Sequence, residues 1–225
     1  MLSDRPGIKL NQYVSDYVIF DLETTGISCA GDAVIEIAAL KVSSGKIIDS
    51  FSTLVNPERP IPYGASRVNG IYDEMVQNCP AIETALGGFL DFAEDRILVG
   101  HNIHAFDMKF IKRDAVRLWG KTVGNDYIDT LAIARQYLPG LAHHRLSDLA
   151  VYYGISAEGA HRALADCKMN YYVFEQLGRE MQAPQAEIKL CPRCRRPLKK
   201  RNGKFGLFWG CSGYPECRYT KNIRD

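Results

Sequence analysis

The sequence predicts an α/β domain, a mixed sheet covered by helices, followed by a small cysteine-rich unit. Three observations predict this organisation. Strand patterns come first along the chain and then alternate with helix patterns, an order typical of α/β folds. The 225 residues suffice for one domain of ordinary size plus a small appendage. Four of the seven cysteines fall within residues 191–217.

Five strands are predicted from short apolar runs. Residues 17–22 are typical of a central strand that is buried on both faces. The next two strands flank the turn formers Ser43, Ser44 and Gly45, which predicts a hairpin. The predicted strands are 17–22, 33–42, 46–55, 96–102 and the first part of 125–138.

The helices are predicted from the spacing of apolar residues. Ile82, Leu86 and Phe89 recur at helical spacing, and a later amphipathic helix is expected to end at Gly120. The predicted helices are 81–95, 105–120, the second part of 125–138, 145–155 and 161–181. Prolines mark a loop at 56–62. A polar linker at 182–189 divides the chain into domains at 1–181 and 190–225.

The composition and the N-terminus indicate where the protein works. With 46% hydrophobic and 24% charged residues, the chain has the composition of a soluble globular protein. No apolar run reaches the ~18 residues that cross a bilayer, and residues 1–13 lack the apolar core of a secretion signal. We therefore expect a cytoplasmic protein without a membrane partner, whose cysteines stay reduced.

The charge is distributed unevenly along the chain. Residues 185–225 hold 11 Lys or Arg and 3 Asp or Glu, a net charge of +8. Residues 1–184 hold 17 basic and 23 acidic residues, a net charge of −6. An acidic body with a basic tail indicates that the tail binds a polyanion. The alternative is that the tail only keeps the chain soluble.

Two acids interrupt the first apolar strand. Asp21 and Glu23 project from the same face, because side chains alternate along a strand. A buried carboxylate is unfavourable unless it is protonated or meets a cation. Asp107 and Asp166, each near the start of a predicted helix, complete a set of four. Four carboxylates around one point predict two Mg²⁺ or Mn²⁺ ions, about 3.5–4 Å apart, that stabilise the oxygens in a phosphodiester displacement.

His161 is the candidate general base beside this set. It precedes Asp166 by five residues, so on an ideal helix the two lie about 140° apart and do not share a face. We expect His161 in a loop or first turn, where it takes a proton from an attacking water near neutral pH. Alone, each feature has a plainer explanation: a strand-end salt bridge, a helix N-terminal acid or a surface histidine. The other four histidines receive no catalytic role.

Three motifs carry these residues: FDLETTG, GHNIHAFD and HRALADC. They resemble the exonuclease motifs of the DEDDh 3′–5′ exonucleases, and the pattern is similar to that of the proofreading subunit of bacterial replicative DNA polymerase and of RNase T. The resemblance covers about residues 15–180 and implies a ribonuclease H-like fold. It implies these roles: metal ligands Asp21, Glu23, Asp107 and Asp166, and general base His161.

The resemblance also implies contacts with the substrate. Thr24 and Thr25 would lie against the terminal nucleotide, and Asn102 would support the loop of the second motif. The segment VNGI resembles the family's HGI segment, with Asn69 where histidine is common. That departure concerns a secondary substrate contact and not the chemistry.

The C-terminal cysteines have the spacing C-x2-C-x16-C-x5-C. Thiolates from Cys191, Cys194, Cys211 and Cys217 predict one tetrahedral Zn²⁺. The ion would stabilise a unit of about 40 residues, which is too small to bury a sufficient core. Cys29, Cys79 and Cys167 are scattered and are expected to be ordinary thiols. The segment FGLFWGCSGYPECRYT resembles the zinc ribbons at the C-terminus of bacterial type I topoisomerases, which implies binding to single-stranded DNA.

Aromatic and basic residues alternate in this tail. Aromatic rings stack on bases while cations follow the phosphate backbone, although we expect about half of the aromatics to serve the ribbon's own core. The candidates are Phe205, Phe208, Trp209, Tyr214 and Tyr219, with Lys199, Lys200, Arg201, Lys204, Arg218 and Lys221.

Together these features predict a metal-dependent 3′–5′ exonuclease that releases 5′-mononucleotides from single-stranded DNA. The expected partners are single-stranded DNA or RNA 3′ ends, together with a DNA polymerase or repair complex in proofreading or DNA repair. Two alternatives stay open: an exoribonuclease that acts on RNA ends, and a non-catalytic accessory factor that uses the fold as a scaffold.

Overall fold

The computed structural model describes residues 1–156, 162–182, 190–203 and 206–223. The chain divides into two compact units, Met1–Met181 and Gln182–Asp225. The predicted base His161, the linker residues 183–189, and Lys204 with Phe205 lie outside the described residues. The predicted domain bounds therefore stay a prediction.

The first unit is built on a six-stranded mixed sheet. Its described strands are β1 (Leu2–Ser3), β2 (Lys9–Leu10), β3 (Tyr17–Thr24), β4 (Val34–Ser43), β5 (Lys46–Leu54), β6 (Ile97–Gly100), β7 (Thr122–Val123) and β8 (Tyr127–Asp129). The sheet has the order β2-β8-β6-β3-β4-β5, while β1 pairs with β7 separately. The pairs β3–β4 and β4–β5 are antiparallel and the other three pairs are parallel, which confirms the predicted mixed sheet. The two-residue strands were not predicted, because they are too short to show an alternating pattern.

The hairpin β4–β5 turns where the sequence predicted. Ser43 pairs with Lys46, so Ser44 and Gly45 form a two-residue loop. Both residues have positive φ, 49° for Ser44 and 69° for Gly45. This combination is typical of a type I′ turn, whose twist matches that of the flanking strands.

Helices cover both faces of the sheet. The described helices of this unit are α1 (Tyr63–Asn69), α2 (Asp73–Val76), α3 (Ile82–Ala93), α4 (Asp107–Trp119), α5 (Thr130–Tyr137), α6 (Leu146–Tyr153) and α7 (Ala163–Gln182). The sequence pattern does not predict α1 and α2, since seven and four residues are too few for a recognisable apolar period. Gly120 ends α4 with a φ of 65°, as predicted. None of the described helices is long and apolar enough to cross a membrane.

Two apolar layers position the site residues. Val18 and Phe20 pack on one face of β3 with side chains of α3 and α4. Tyr17 and Ile19 pack on the other face, against α7. Because side chains alternate, Asp21 continues the face that α7 covers. The carboxyl ends of β3, β6 and β8 meet at one edge of the sheet, since these neighbouring strands are parallel.

The second unit contains a three-stranded antiparallel sheet with the order β11-β10-β9. Its strands are β9 (Leu198–Gly203), β10 (Gly206–Cys211) and β11 (Thr220–Asn222). Trp209 is paired with Lys200 and Lys221 on one face of this sheet. Phe208 is paired with Arg201 on the other face.

Candidate active site and candidate metal centres

The end of β3 and the first turn of α7 bring three predicted acids together. Asp21 and Glu23 lie on the face of β3 that α7 covers. Asp166 lies in the first turn of α7. One carboxylate oxygen from each of the three side chains lies within 4.8 Å of the other two. This spacing allows the three residues to share a cation.

The fourth predicted acid, Asp107, begins α4 and is 3% exposed. Its Oδ1 accepts a 3.2 Å hydrogen bond from the backbone N–H of Leu22, the residue between Asp21 and Glu23. This bond fixes the start of α4 against the end of β3. The charge of Asp107 also raises the pKa of Asp21. The structure therefore brings all four predicted acids to one place.

Burial and mutual repulsion raise the pKa values in this cluster. The pKa of Asp21 lies well above its ordinary value, first because of burial and then because of the charges on Asp107, Glu23 and Asp166. Burial, followed by the charge of Asp166, raises the pKa of Glu23 to about 8. Burial raises the pKa of Asp107 to about 7. A cation would relieve this repulsion, and a set of oxygen donors alone fits a hard cation such as Mg²⁺ or Mn²⁺.

A fifth carboxylate, that of Glu36, lies beside the four predicted acids and was not predicted from the sequence. It lies directly opposite Glu23 in the β3–β4 ladder and is 3% exposed. The guanidinium of Arg162 donates to Glu36 at 3.1 and 3.4 Å, and the backbone N–H of Ala163 donates at 3.3 Å. Glu36 therefore holds the start of α7, the helix that carries Asp166. The signal was present, because Glu36 also interrupts an apolar strand.

The two threonines after Glu23 are buried and hydrogen-bonded. Thr24 Oγ1 donates to the carbonyl of Gly26 at 2.7 Å, and Thr25 Oγ1 accepts from the backbone N–H of Ala33 at 2.9 Å. The β3–β4 register shifts between Glu23 and Thr24. Asn69 is 3% exposed, its Nδ2 donates to the carbonyl of Thr24 at 3.5 Å, and its side chain lowers the pKa of Glu23. Asn69 therefore supports the acid cluster, and the nucleotide contacts of the threonines stay a prediction.

Asn102 lies in the loop that follows β6, with a positive φ of 61°. Its backbone N–H donates to Asp129 Oδ1 at 3.2 Å, and that of His104 donates to Asp129 Oδ2 at 3.3 Å. The same carboxylate caps α5 by accepting from Leu131 and Ala132. Asp129 thus ties the loop before Asp107 to the end of β8. This role of Asp129 depends on backbone geometry and was therefore not predicted from the sequence.

The four C-terminal cysteines form the second candidate metal centre. The sulfurs of Cys191 and Cys217 are 3.6 Å apart, and those of Cys194 and Cys211 are 3.3 Å apart. All four lie within 4.8 Å of one another. Zinc–sulfur bonds of about 2.3 Å in a tetrahedron place sulfurs roughly 3.8 Å apart, so the cluster fits one such ion. Cys167, by contrast, is buried in the first unit and its thiol contacts the carbonyl of Ala38.

Aromatic and basic side chains line a cleft of about 190 Å³ beside the cysteine cluster. Phe208, Tyr214 and Tyr219 supply its aromatic walls, and Arg201 and Arg218 supply its positive charge. On the opposite face of the sheet, the Lys200 ammonium lies 5.5 Å from the centre of the Trp209 ring. The ribbon therefore offers an aromatic–basic surface on each face.

Two family models match the chain. Residues 18–174 match the model described as "Exonuclease". Residues 188–225 match the model described as "Topoisomerase DNA binding C4 zinc finger". These matches confirm both resemblances that the sequence motifs indicated.

Curated relatives agree with the first match. The DNA polymerase III subunit epsilon of Aquifex aeolicus is 36% identical over 183 residues, which cover 80% of this chain and 90% of that protein. The PolC-type DNA polymerase III of Caldanaerobacter subterraneus subsp. tengcongensis is 40% identical over 167 residues, 74% of this chain and 12% of that protein. The chain thus spans only a small part of the length of the PolC-type relatives it matches.

Solved structures agree with the fold. Exonuclease X in complex with 5′ overhanging duplex DNA has a TM-score of 0.61 and 26% identity, covering 72% of this chain and 91% of that chain. E. coli Exonuclease I in complex with a dA16 oligonucleotide has a TM-score of 0.61 and 18% identity, covering 91% of this chain and 53% of that chain. These likenesses confirm the predicted ribonuclease H-like arrangement of a mixed sheet flanked by helices.

Proposed function

The chain belongs to the exonuclease family, and on that premise we propose that it hydrolyses single-stranded DNA from the 3′ end and releases 5′-mononucleotides. The observation that carries the proposal is the convergence of Asp21, Glu23, Asp107 and Asp166 at one sheet edge. The raised pKa values of Asp21, Glu23 and Asp107 mark a site that needs a cation to hold its acids ionised.

We assign these four carboxylates as the ligands of two Mg²⁺ or Mn²⁺ ions. When bound, such ions supply positive charge to the attacking and leaving oxygens of a phosphodiester. The protein's part is to keep the ligands in place. Leu22 fixes Asp107 through a backbone hydrogen bond, and Asn69, which donates to the carbonyl of Thr24, lowers the pKa of Glu23. Glu36 binds the backbone at the start of α7, so that Asp166 in the same turn faces the other acids.

We assign His161 as the general base that accepts a proton from the attacking water. Histidine is the side chain suited to exchange a proton near neutral pH. His161 directly precedes Arg162, the residue whose guanidinium Glu36 binds. We infer that this ion pair helps to orient the segment that carries the base.

We assign Thr24, Thr25 and Asn102 to contacts with the terminal nucleotide. The register shift after Glu23 supports this, because bulges at strand ends redirect side chains and backbone near active sites. Asn102 has an exposed side chain on a loop that Asp129 fixes. An exposed polar group on a fixed loop is well placed to bind a ligand.

We propose that the C-terminal unit binds one structural Zn²⁺ and grips single-stranded DNA. The sulfur–sulfur distances support the zinc site. The cleft lined by Phe208, Tyr214 and Tyr219 supports base stacking, and Arg201 and Arg218 there suit a phosphate backbone. The net charge of +8 in residues 185–225 would attract the strand to an acidic body.

We further propose a DNA polymerase or repair complex as a partner. The support is that relatives of this chain are named as a DNA polymerase III subunit and as PolC-type DNA polymerase III. Co-purification of the full chain with the replicative polymerase at physiological salt tests this. Separate elution of the two proteins contradicts it.

The proposed activity is tested by nucleotide release from 3′-labelled single-stranded DNA and RNA of the same sequence, with and without Mg²⁺. We expect mononucleotide release from DNA only when the metal is present. Faster release from RNA would instead favour an exoribonuclease. No release from either strand would favour a non-catalytic accessory factor.

A further inference from the structure

A cleft of about 500 Å³ lies beside the acid cluster and is not used by the proposed chemistry. We call it the His-Arg cleft, after His101, His143, His144, Arg135 and Arg145, which line it together with Asn102. It opens where His101 and Asn102 follow β6 and where α5 follows β8. The cleft therefore occupies the same sheet edge as the acids.

Two histidines hold the wall of the cleft in place. His101 Nδ1 lies 3.0 Å from Thr130 Oγ1. His144 Nε2 lies 2.9 Å from the carbonyl of Leu138. Burial lowers the pKa of His101 to about 4, so this ring is neutral and serves as a fixed floor. The cleft is thus shaped before any ligand arrives.

The free charge in the cleft is positive. Arg135 and Arg145 are exposed, and neither forms an ion pair with a carboxylate in the part of the chain that the structure describes. No acidic residue is among the described residues that line the cleft. Asp148 is nearby in sequence, but its carboxylate accepts from the backbone N–H of Arg145 at the start of α6. Within residues 1–184, which carry a net charge of −6, such a cleft is suited to an anion.

The sheet sets the distance between the cleft and the acids. Asp21 and Glu23 lie at the end of β3, and the cleft begins at the ends of β6 and β8. β8 is two strands away from β3, a separation of about 10 Å at the usual strand spacing. A stacked strand rises about 3.4 Å per nucleotide, so this separation corresponds to roughly three nucleotides.

We propose that the His-Arg cleft binds backbone phosphates of the substrate strand, about three nucleotides from the 3′ end. Arg135 and Arg145 hold the phosphates, and Asn102 joins the cleft to the terminal-nucleotide site. This inference rests on the proposed nuclease function, which supplies the polynucleotide. It gives an acidic catalytic unit its own contact with a polyanion, separate from the C-terminal ribbon.

The test compares the double variant Arg135→Gln/Arg145→Gln with the wild-type full chain. The matched control is Arg5→Gln/Lys121→Gln, which removes the same charge from two exposed residues that do not line the cleft. Hydrolysis of single-stranded oligonucleotides of two and of six or more nucleotides is measured at several salt concentrations. Equal thermal midpoints of both variants establish that the cleft variant is folded.

For the wild type we expect a lower KM with long strands than with dinucleotides. We expect the cleft variant to lose most of this difference in KM. Its KM for the longer strands should rise about a hundredfold, since each of the two charge-assisted hydrogen bonds removed contributes about tenfold, while kcat changes little. The salt slope should fall by about 1.4, since each phosphate bound on a single strand contributes about 0.7. The control should behave as the wild type does.

A second readout separates this inference from the proposed activity. The fluorescence anisotropy of a labelled hexanucleotide is measured with both variants in an Asp21→Asn background, so that no cleavage is needed. If the wild type releases no nucleotide, the proposed function fails while the binding measurement still tests the cleft. Equal affinity and equal salt slope for cleft variant and control would overturn the inference. A KM increase as large for dinucleotides as for long strands would also overturn it.

Discussion

The acid cluster and the cysteine cluster are both candidate metal centres, but they differ in what surrounds them. The acids lie at the edge of a sheet with an apolar layer on each face, in which Phe20, Phe89 and Phe174 are almost fully buried. Among the described ribbon residues, the buried hydrophobic side chains are only those of Cys191 and Cys211. The first unit can therefore fold around its own core, whereas we expect the second to depend on the proposed Zn²⁺. On this proposal, similar ligand clusters serve chemistry in one unit and folding in the other.

The largest expected effect comes from Asp21→Asn, which removes one charge from the acid cluster. Turnover should fall nearly to background, because the site loses a metal ligand at the point where charge must be compensated. The fold should persist, since the apolar layers are untouched. Circular dichroism and nucleotide release measure the two quantities, with the exposed Asp4→Asn as control. Undiminished cleavage by Asp21→Asn, or full activity in excess EDTA, would contradict the two-metal proposal.

His161→Ala should produce the next largest effect. The rate should fall about 10²–10⁴-fold, the usual contribution of a general base. Metal binding measured by calorimetry should persist, because the proposed ligands are the four acids. His104→Ala is the control, since that ring bonds to Tyr127 and has no proposed catalytic role. Loss of metal binding in His161→Ala would instead place the histidine among the ligands.

Cys211→Ser tests the other side of the comparison. It should remove the zinc and unfold the ribbon, while the first unit keeps its fold and its acid cluster. Binding to long single strands should weaken, with a salt slope lower by about 0.7 for each phosphate that the ribbon no longer binds. Cleavage of very short strands should change little, because we expect such strands to be too short to contact both the acid cluster and the ribbon. Cys79→Ser is the control, since its thiol lies in the first unit and contacts the carbonyl of Met75.

The same outcome is expected when the chain is cut after Gln185. Zinc content should fall from about one per chain to none. If truncated and full-length chains bind long single strands equally at every salt concentration, the ribbon does not bind nucleic acid. It would then be a docking site for another protein. The two units would differ in their partners, with nucleic acid at the first and a protein at the second.

The site residues that could be predicted from the sequence are those whose side chains conflict with the pattern around them. Asp21 and Glu23 interrupt a buried strand, and this energetic conflict is visible without a structure. Glu36 carries the same conflict, yet its partner Arg162 is 126 residues away, so its role appeared only in the fold. Asp129 acts through backbone N–H groups of a distant loop, which side-chain patterns do not encode. Four histidines received no role from the sequence, but three of them, His101, His143 and His144, line one cleft.

The smallest expected effect concerns how the stability of the first unit depends on pH when no Mg²⁺ or Mn²⁺ is added. Burial and neighbouring charges raise the pKa of Glu23 to about 8, above the value of about 4.3 in an unfolded chain. Between these values the folded state binds more protons than the unfolded state. The free energy of unfolding must therefore fall as the pH rises through this range.

Glu23→Gln removes this titration and should isolate its contribution. The variant should match the wild type at about pH 4 and melt a few degrees higher at about pH 8, because 1 kcal/mol shifts the midpoint by roughly 2–4 °C in a domain of this size. Added Mg²⁺ should reverse the order at the higher pH, since it stabilises only the ionised cluster strongly. A difference in thermal midpoint that is independent of pH would show that burial and neighbouring charges do not raise the pKa of Glu23. The acid cluster would then resemble the cysteine cluster, as a set of ligands whose main effect is on the fold.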